Sequence, residues 1–362
     1  MKIDIIAGAR PNFMKIAPII DAIKIAQNEH QNISYRLIHT GQHYDKKMSD
    51  DFFVQLGIPQ PDVNLGAGGG TQAEQTAAIM IGYERLLMDT KSDLCLVVGD
   101  VTSTMACAIV AKKMNIKVAH VEAGIRSFDM TMPEEINRMV TDAITDYFFT
   151  TSVTANRNLR KAGISSDRIF FVGNTMIDTL KKNINRLQKP AIWNHAKLTN
   201  HNYIVLTLHR PANVDNPEKF EALMQQILVN AQNVPIIFPV HPRTAKIIAS
   251  LKIENSNFYL VEPMSYLEFN YLVRFAKAVI TDSGGITEET TYMKVPCITL
   301  RDNTERPETV TMGSNELIGT NPNAIKPTLD NLFAGNWKKS KIPPLWDGKT
   351  GKRIVNKLML LN

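Results

Sequence analysis

Apolar residues follow two rhythms along this chain. Short runs stand apart as candidate strands: Ile3–Ala7, Tyr35–Thr40, Leu94–Val98, Val118–Val121, Tyr147–Thr151 and Ile169–Val172. A second series holds Tyr203–Leu208, Ile236–Val240, Phe258–Val261, Ala278–Thr281 and Cys297–Leu300. Several are apolar almost without interruption, the pattern of strands covered on both faces. Between them, apolar residues recur every three or four positions, which predicts helices over Pro11–Ala26, Gln72–Met88, Thr102–Met114 and Pro133–Thr145. Strand-helix alternation implies parallel sheets with right-handed crossovers. The pattern weakens over Lys181–His201, which is rich in lysine and asparagine. The expected fold class is therefore α/β, two doubly wound Rossmann-like domains: residues 1–180, and residues 181–349.

Composition narrows the class. The chain has 362 residues, 44% hydrophobic and 21% charged, enough apolar material for two cores without disulfides or a structural metal. That balance excludes disorder, collagen-like sequence and coiled coil. No apolar run approaches the roughly 18 residues of a membrane span, and Met1–Ile6 reads as a first strand with an acid inside it rather than a signal peptide. Three scattered cysteines, Cys95, Cys107 and Cys297, suit buried thiols in a reduced cytoplasm. The net charge of +6, from 41 basic and 35 acidic residues, favours an anionic partner. Basic stretches without interleaved aromatics argue against nucleic acid. Gly66–Gly70 does not follow a strand as a dinucleotide fingerprint does, and is expected to be a mobile loop.

Ligands of open parallel sheets bind beyond the carboxyl ends of the strands, and the informative residues stand there. Arg10 and Lys15 flank Pro11 at a helix start, an anion site or a solvated pair of cations. Asp100 follows one buried run, where a helix cap is the alternative reading. Glu122 follows another, and Glu134 opens a helix after Pro133, where a carboxylate also suits the helix dipole. Three such acids at one sheet edge repel each other, spread their pKa values and suit acid/base work. His209, Arg210 and His241 follow strands of the second half. No H-E-x-x-H motif is present, so no metal is expected. Ser283, Gly284 and Gly285 open a helix and offer a hydroxyl and approachable amides to a diphosphate. Glu289 can then hold ribose hydroxyls, and Arg306 can close on the ligand.

Together these segments resemble the non-hydrolysing UDP-N-acetylglucosamine 2-epimerases. The matching pieces are Gly8-Ala9-Arg10-Pro11 with Lys15, Gly41-Gln42-His43, Gly99-Asp100, His120 to Arg126, Pro133-Glu134-Glu135 with Asn137-Arg138, Gly173-Asn174-Thr175, His209-Arg210, Asp282 to Gly285 with Glu288-Glu289, and Glu305 to Glu308. The resemblance runs in order from Met1 to about Gly319. It implies the fold of many nucleotide-sugar glycosyltransferases (GT-B), two domains facing a cleft, with the helix at about 350–362 packed back on the first. It implies UDP ligands Arg10, Lys15, Ser283, Gly284, Gly285, Glu289 and Arg306. Phe269 becomes the uracil neighbour and Met264 a backbone contact. Asp100, Glu122 and Glu134 become the acid/base set, with His209 near the diphosphate, and Gln42, Arg210 and His241 an allosteric site. The sequence departs from the family at Ala9 and at Pro211-Ala212 after the His-Arg pair.

The activity so implied is inversion at C2 of the sugar, by elimination of UDP to 2-acetamidoglucal and re-addition, supplying surface polysaccharide precursors. No cofactor is needed. The expected partner is a small UDP-sugar, with no nucleic acid and no membrane, and the expected assembly a homodimer. Alternatives are a sister 2-epimerase on a modified UDP-N-acetyl sugar, a glycosyltransferase of the same fold, and a silent UDP-sugar binder.

Overall fold

The computed structural model describes residues 1–41, 53, 55–240, 245, 248 and 255–361, except for the side chain of Arg10. The chain divides into two compact units, Met1–Lys182 with Pro344–Asn362, and Asn183–Pro343.

The first unit is built on a seven-stranded sheet: β1 (Lys2–Ala7), β2 (Ser34–His39), β3 (Val63–Asn64), β4 (Leu94–Val98), β5 (Lys117–Val121), β6 (Tyr147–Thr150) and β7 (Ile169–Phe171). Their order is β3-β2-β1-β4-β5-β6-β7 and every pairing is parallel. The strand order reverses beside β1, so a crevice is expected past the carboxyl ends of β1 and β4. The five residues of β4 are all buried, which is why that run reads apolar throughout.

The second unit repeats the plan with β8 (Ile204–Thr207), β9 (Ile236–Pro239), β10 (Phe258–Val261), β11 (Ala278–Thr281), β12 (Cys297–Thr299) and β13 (Asn315–Leu317). The order is β10-β9-β8-β11-β12-β13, again all parallel, with its reversal between β8 and β11. Each sheet is thus the doubly wound α/β arrangement expected from the sequence. Two short strands, β3 and β13, were not expected. They lie at sheet edges and are too short and polar to register as apolar runs.

Two details of the first unit set its functional edge. Pro18 sits inside the helix Arg10–Asn28 and lacks the N–H that the Met14 carbonyl would otherwise accept. The Thr179 hydroxyl supplies that bond at 2.6 Å. The last helix, Thr350–Leu360, packs on the same place: a Cβ at Gly351 would lie 2.3 Å from the Pro18 carbonyl oxygen, so only glycine permits the approach. The buried Asp178 carboxylate accepts the Gly351 N–H at 2.9 Å and pins the junction. The glycine-rich segment at 66–70, expected as a mobile loop, is a loop with one backbone tie. Ala67 N donates to the Thr40 carbonyl at 2.8 Å, and a Cβ at Gly68 would meet the Gly41 carbonyl oxygen at 2.6 Å.

Candidate active site

In the first unit the residues beyond β1, β4 and β5 converge. Asn12 ties two strand ends: its Oδ1 accepts the amides of Gly8 and Ala9 at 3.2 and 3.0 Å, and its Nδ2 donates to the Val98 carbonyl at 2.9 Å. One turn on, Lys15 reaches Glu122 and forms an ion pair of 2.5 Å, with both side chains buried. Gly99 lies against them: a Cβ there would stand 3.0 Å from Lys15 Nζ and 3.4 Å from Glu122 Oε2. Its φ of +70°, like the +68° of Glu122 and +77° of Gly124, turns the backbone sharply at the strand ends. A left-handed glutamate is uncommon and is held only where its surroundings over-determine it.

Asp100 is held by Arg138, whose Nε donates to its Oδ2 at 3.0 Å, while Asn137 donates to its carbonyl at 2.8 Å. Arg138 also pairs with Glu135 at 2.7 Å, and Glu135 accepts the Ser127 and Phe128 amides. Glu135 is therefore a structural carboxylate. Glu134 is half-buried and sits on the same face of the helix Pro133–Ile144 as Asn137 and Arg138. The repulsion expected among three bare acids is not what the structure holds. Asp100 and Glu122 each carry a cation of their own, because burial requires a partner for each charge.

Beneath both loops lies a network the sequence did not disclose. His120, fully buried, places Nδ1 at 2.7 Å from Asp142 and Nε2 at 2.8 Å from the Gly99 carbonyl. A carbonyl can only accept, so Nε2 carries a hydrogen and Nδ1 shares one with the carboxylate. Asp142 also takes the Gly124 amide at 3.1 Å and Arg126 at 2.7 Å. Burial works to raise the Asp142 pKa, but His120 and Arg126 hold it below the ordinary carboxylate value. The network fixes the loop of Asp100 to the loop of Glu122. A histidine preceding Glu122 by two residues was the only sign of it.

In the second unit, the helix Gly284–Met293 begins at the end of β11. Ser283 is its N-cap by position, yet its hydroxyl makes no capping bond. Ser283, Gly284 and Gly285 are all half-buried, and a Cβ at Gly284 would lie 3.0 Å from Arg306 Nη1. The Arg306 guanidinium thus stands against the first amides of the helix, held by Glu288 at 2.5 Å. Hydroxyl, amides and guanidinium together suit a dianionic diphosphate. Arg301 makes a two-pronged pair with Glu305 at 3.0 and 2.8 Å just behind.

Glu289 is buried one turn into that helix. Burial pushes its carboxyl up to about 7, against hydrogen bonds from Tyr266 and Asn270. Asn270 donates to it at 3.3 Å from the helix Tyr266–Phe275, which also carries the half-buried Phe269. Met264 and Phe269 pack on the same apolar cluster around Trp193 and Tyr203. Met264 also borders a cavity of about 380 Å³, together with Ile192, His195 and Glu268.

His209 is exposed at the end of β8, with its ring Nδ1 2.8 Å from the buried Asp282. Arg210 donates from Nε to the Asp282 carbonyl at 3.1 Å. Arg10 opens its helix by backbone position, and Gln42 and His241 lie outside the described residues. Among the described residues, no group of three or more His, Cys, Asp or Glu is placed to hold a metal ion.

The family model described as UDP-N-acetylglucosamine 2-epimerase matches residues 25–359. The UDP-N-acetylglucosamine 2-epimerase of Methanocaldococcus jannaschii is 42% identical, with 98% of each chain covered. The crystal structure of the enzyme from that organism, in complex with UDP-GlcNAc and UDP, superposes with a TM-score of 0.89, covering 99% of this chain and 100% of that one at 42% identity. The UDP-2,3-diacetamido-2,3-dideoxy-D-glucuronate 2-epimerase of Pseudomonas aeruginosa is 38% identical over 88% of each chain. A plant UDP-glucosyltransferase, from Polygonum tinctorium, shares the fold alone, at 11% identity and a TM-score of 0.58, covering 99% of this chain and 92% of its own. With its two doubly wound sheets and these full-length matches, the chain belongs to the UDP-N-acetylglucosamine 2-epimerase family.

Proposed function

We propose that this chain interconverts UDP-N-acetylglucosamine and UDP-N-acetylmannosamine by inverting C2. The observation that carries the reading is the pair of cation-compensated carboxylates, Asp100 with Arg138 and Glu122 with Lys15, at the strand ends of the first sheet. A protein that only held an anionic ligand would gain nothing from carboxylates there. The C2 hydrogen has no neighbouring carbonyl carbon, so simple enolisation is closed. One carboxylate takes the C2 proton while the C1–O bond breaks and its electron pair leaves with UDP, giving 2-acetamidoglucal. A second carboxyl group, protonated beforehand from solvent, gives its proton to the opposite face of C2 as UDP adds back at C1. Positioned proton transfers of this kind contribute about 10²–10⁴-fold each. In the second unit Ser283, the Gly284 and Gly285 amides, Arg306 and His209 stabilise the departing diphosphate. Glu289 takes ribose hydroxyls, and Met264 and Phe269 receive the uracil.

The likeness to the P. aeruginosa enzyme, together with Pro211-Ala212-Asn213 after the His-Arg pair, favours a second reading with the same chemistry on a modified UDP sugar. Incubation with each sugar alone in deuterium oxide, followed by NMR, distinguishes them. The expected result is the C2 epimer of UDP-N-acetylglucosamine carrying deuterium at C2. Epimerisation of only the diacetamido uronate moves the assignment to the second reading, and C2 protium in the product overturns proton abstraction.

The finer expectations belong to the same reading: surface polysaccharide precursors, a cytoplasmic location and a homodimer. Three buried thiols favour a reducing compartment, and no helix among the described residues is long and apolar enough to cross a membrane. The exposed Ile136 and Met139, three residues apart on one helix, offer apolar surface for a second copy. Sedimentation at working concentration tests the dimer.

A further inference from the structure

We infer that Asp282 is the positioning residue of His209, fixing which ring nitrogen carries the hydrogen and which faces outward. Asp282 ends β11 and is fully buried, while the His209 side chain is 61% exposed. Among the described residues, every polar contact of the carboxylate comes from an N–H group or the imidazole. Oδ2 accepts the His209 amide at 3.0 Å, the Arg210 amide at 2.9 Å and Asn213 Nδ2 at 3.1 Å. Oδ1 accepts the His209 amide at 3.2 Å and faces His209 Nδ1 at 2.8 Å. An ionised carboxylate offers about four lone-pair sites and no hydrogen. With those sites taken by donors, the hydrogen of the imidazole contact sits on Nδ1. Nε2 is then the nitrogen presented away from the protein. It is a lone pair in the neutral ring and an N–H donor in the protonated one.

The backbone makes the arrangement stiff. The two consecutive amides of His209 and Arg210 bind the same carboxylate, so the loop after β8 is fixed to Asp282 and the ring is held by its own Nδ1 contact. Arg210 Nε closes the circuit on the Asp282 carbonyl, and Asn213 bridges Asp282 to the Leu300 carbonyl at 3.0 Å. Burial works to raise the Asp282 pKa, but the bonds from His209, Arg210 and Asn213 hold it below the ordinary value, which agrees with a permanent carboxylate. Asp282 is fully buried and acts through His209. A buried carboxylate that orients a catalytic imidazole is worth up to about 10⁴-fold in turnover in the serine-protease triad. The pinning of the ring stands by itself, but its value in turnover rests on the proposed role of His209 at the departing diphosphate.

The test uses the full chain labelled with ¹⁵N-histidine, with the His209 signals assigned by their loss in His209→Ala. Long-range proton–nitrogen spectra above pH 8 are expected to show a protonated Nδ1 and a pyridine-like Nε2. In Asp282→Asn, which keeps the volume, the pattern should shift toward a mixture. A wild-type ring with the hydrogen on Nε2, or a pattern unchanged in D282N, overturns the assignment. In turnover, D282N should lower kcat by about 10²-fold or more while UDP affinity, read calorimetrically, stays within about threefold. In the His209→Ala background, D282N should add less than about threefold, since two residues acting through one group are not additive. Losses that multiply, or UDP binding lost together with thermal stability, would mean that Asp282 serves only the fold. Should D282N fail to fold, the wild-type spectrum still decides the ring. If the wild-type chain turns over no UDP-sugar, the functional reading fails and the spectra alone judge Asp282.

Discussion

Glu289 sits where an ionised carboxylate is costly, and that cost is measurable. Its folded pKa of about 7 exceeds the ordinary value of 4.5 because burial outweighs its hydrogen bonds. The folded chain therefore keeps this proton when the unfolded chain has released it. Stability from this group is full below about pH 4.5, falls as pH rises, and is lost above about pH 7. Glu289→Gln should match the wild type in acid and exceed it by on the order of 3 kcal/mol above neutrality, read by denaturant unfolding across pH. The same variant should bind UDP more weakly, and a variant that binds UDP normally would remove Glu289 from the ribose. Ser283→Ala is the cleaner probe of the cradle, since its hydroxyl makes no capping bond. It should leave thermal stability unchanged and weaken UDP binding by about 1.5–3 kcal/mol in calorimetry, the value of a hydrogen bond to a charged group. Arg306→Ala is different: it removes the cation paired with the buried Glu288 and should cost about 3–5 kcal/mol of fold stability as well. Glu122→Gln should retain UDP affinity but lose about 10²-fold or more of turnover and of C2 exchange together. The position of Glu122, Asp100 and Ser283 at strand ends could be read from the residues around them. Their partners could not. Lys15 and Glu122 are 107 residues apart, and nothing local marks which cation meets which acid.

The long helix Arg10–Asn28 shows how one proline is made tolerable. Pro18 frees the Met14 carbonyl, Thr179 takes it, and Gly351 lets another helix approach where the proline has left the ladder incomplete. Thr179→Val should therefore cost about 1–3 kcal/mol in thermal or denaturant unfolding, the penalty of a buried polar group left without its bond. No loss on Thr179→Val would mean that the carbonyl finds another donor. Gly351→Ala should be worse, because the added methyl meets backbone and not a flexible side-chain end. The alternation of apolar runs was enough to place most strands and helices, since central parallel strands are buried on both faces and say so in their composition. It failed for β3 and β13, which are edge strands of two and three residues. Their register comes from the neighbouring strand, and no pattern of their own announces it.

Each unit has its own parallel sheet and core, but the two are drawn differently from the chain. Asn183–Pro343 is one continuous stretch, whereas the other unit needs Pro344–Asn362 as well. The weak periodicity over Lys181–His201 is the local feature of the sequence beside that first junction. The return of the last helix came only from the family resemblance, because its docking depends on one glycine and a distant proline. The isolated fragment 183–343 is expected to fold and to bind UDP in calorimetry, while 1–182 alone should lack cooperative unfolding. A cooperative transition in 1–182 would show that the final helix is ornamental. The route of the chain also imposes an order on synthesis. When the ribosome has finished the segment ending at Lys182, the helix that seals it is still untranslated. At about 5–20 residues per second, the intervening stretch takes roughly 8–30 s to emerge. The nascent first half must wait through that interval with the groove over Pro18 open to chaperones. The half proposed to hold the nucleotide, completed in the meantime, can mature before the half that carries the carboxylates. A ribosome that stalls late would thus release a product able to bind UDP but unable to turn over its sugar.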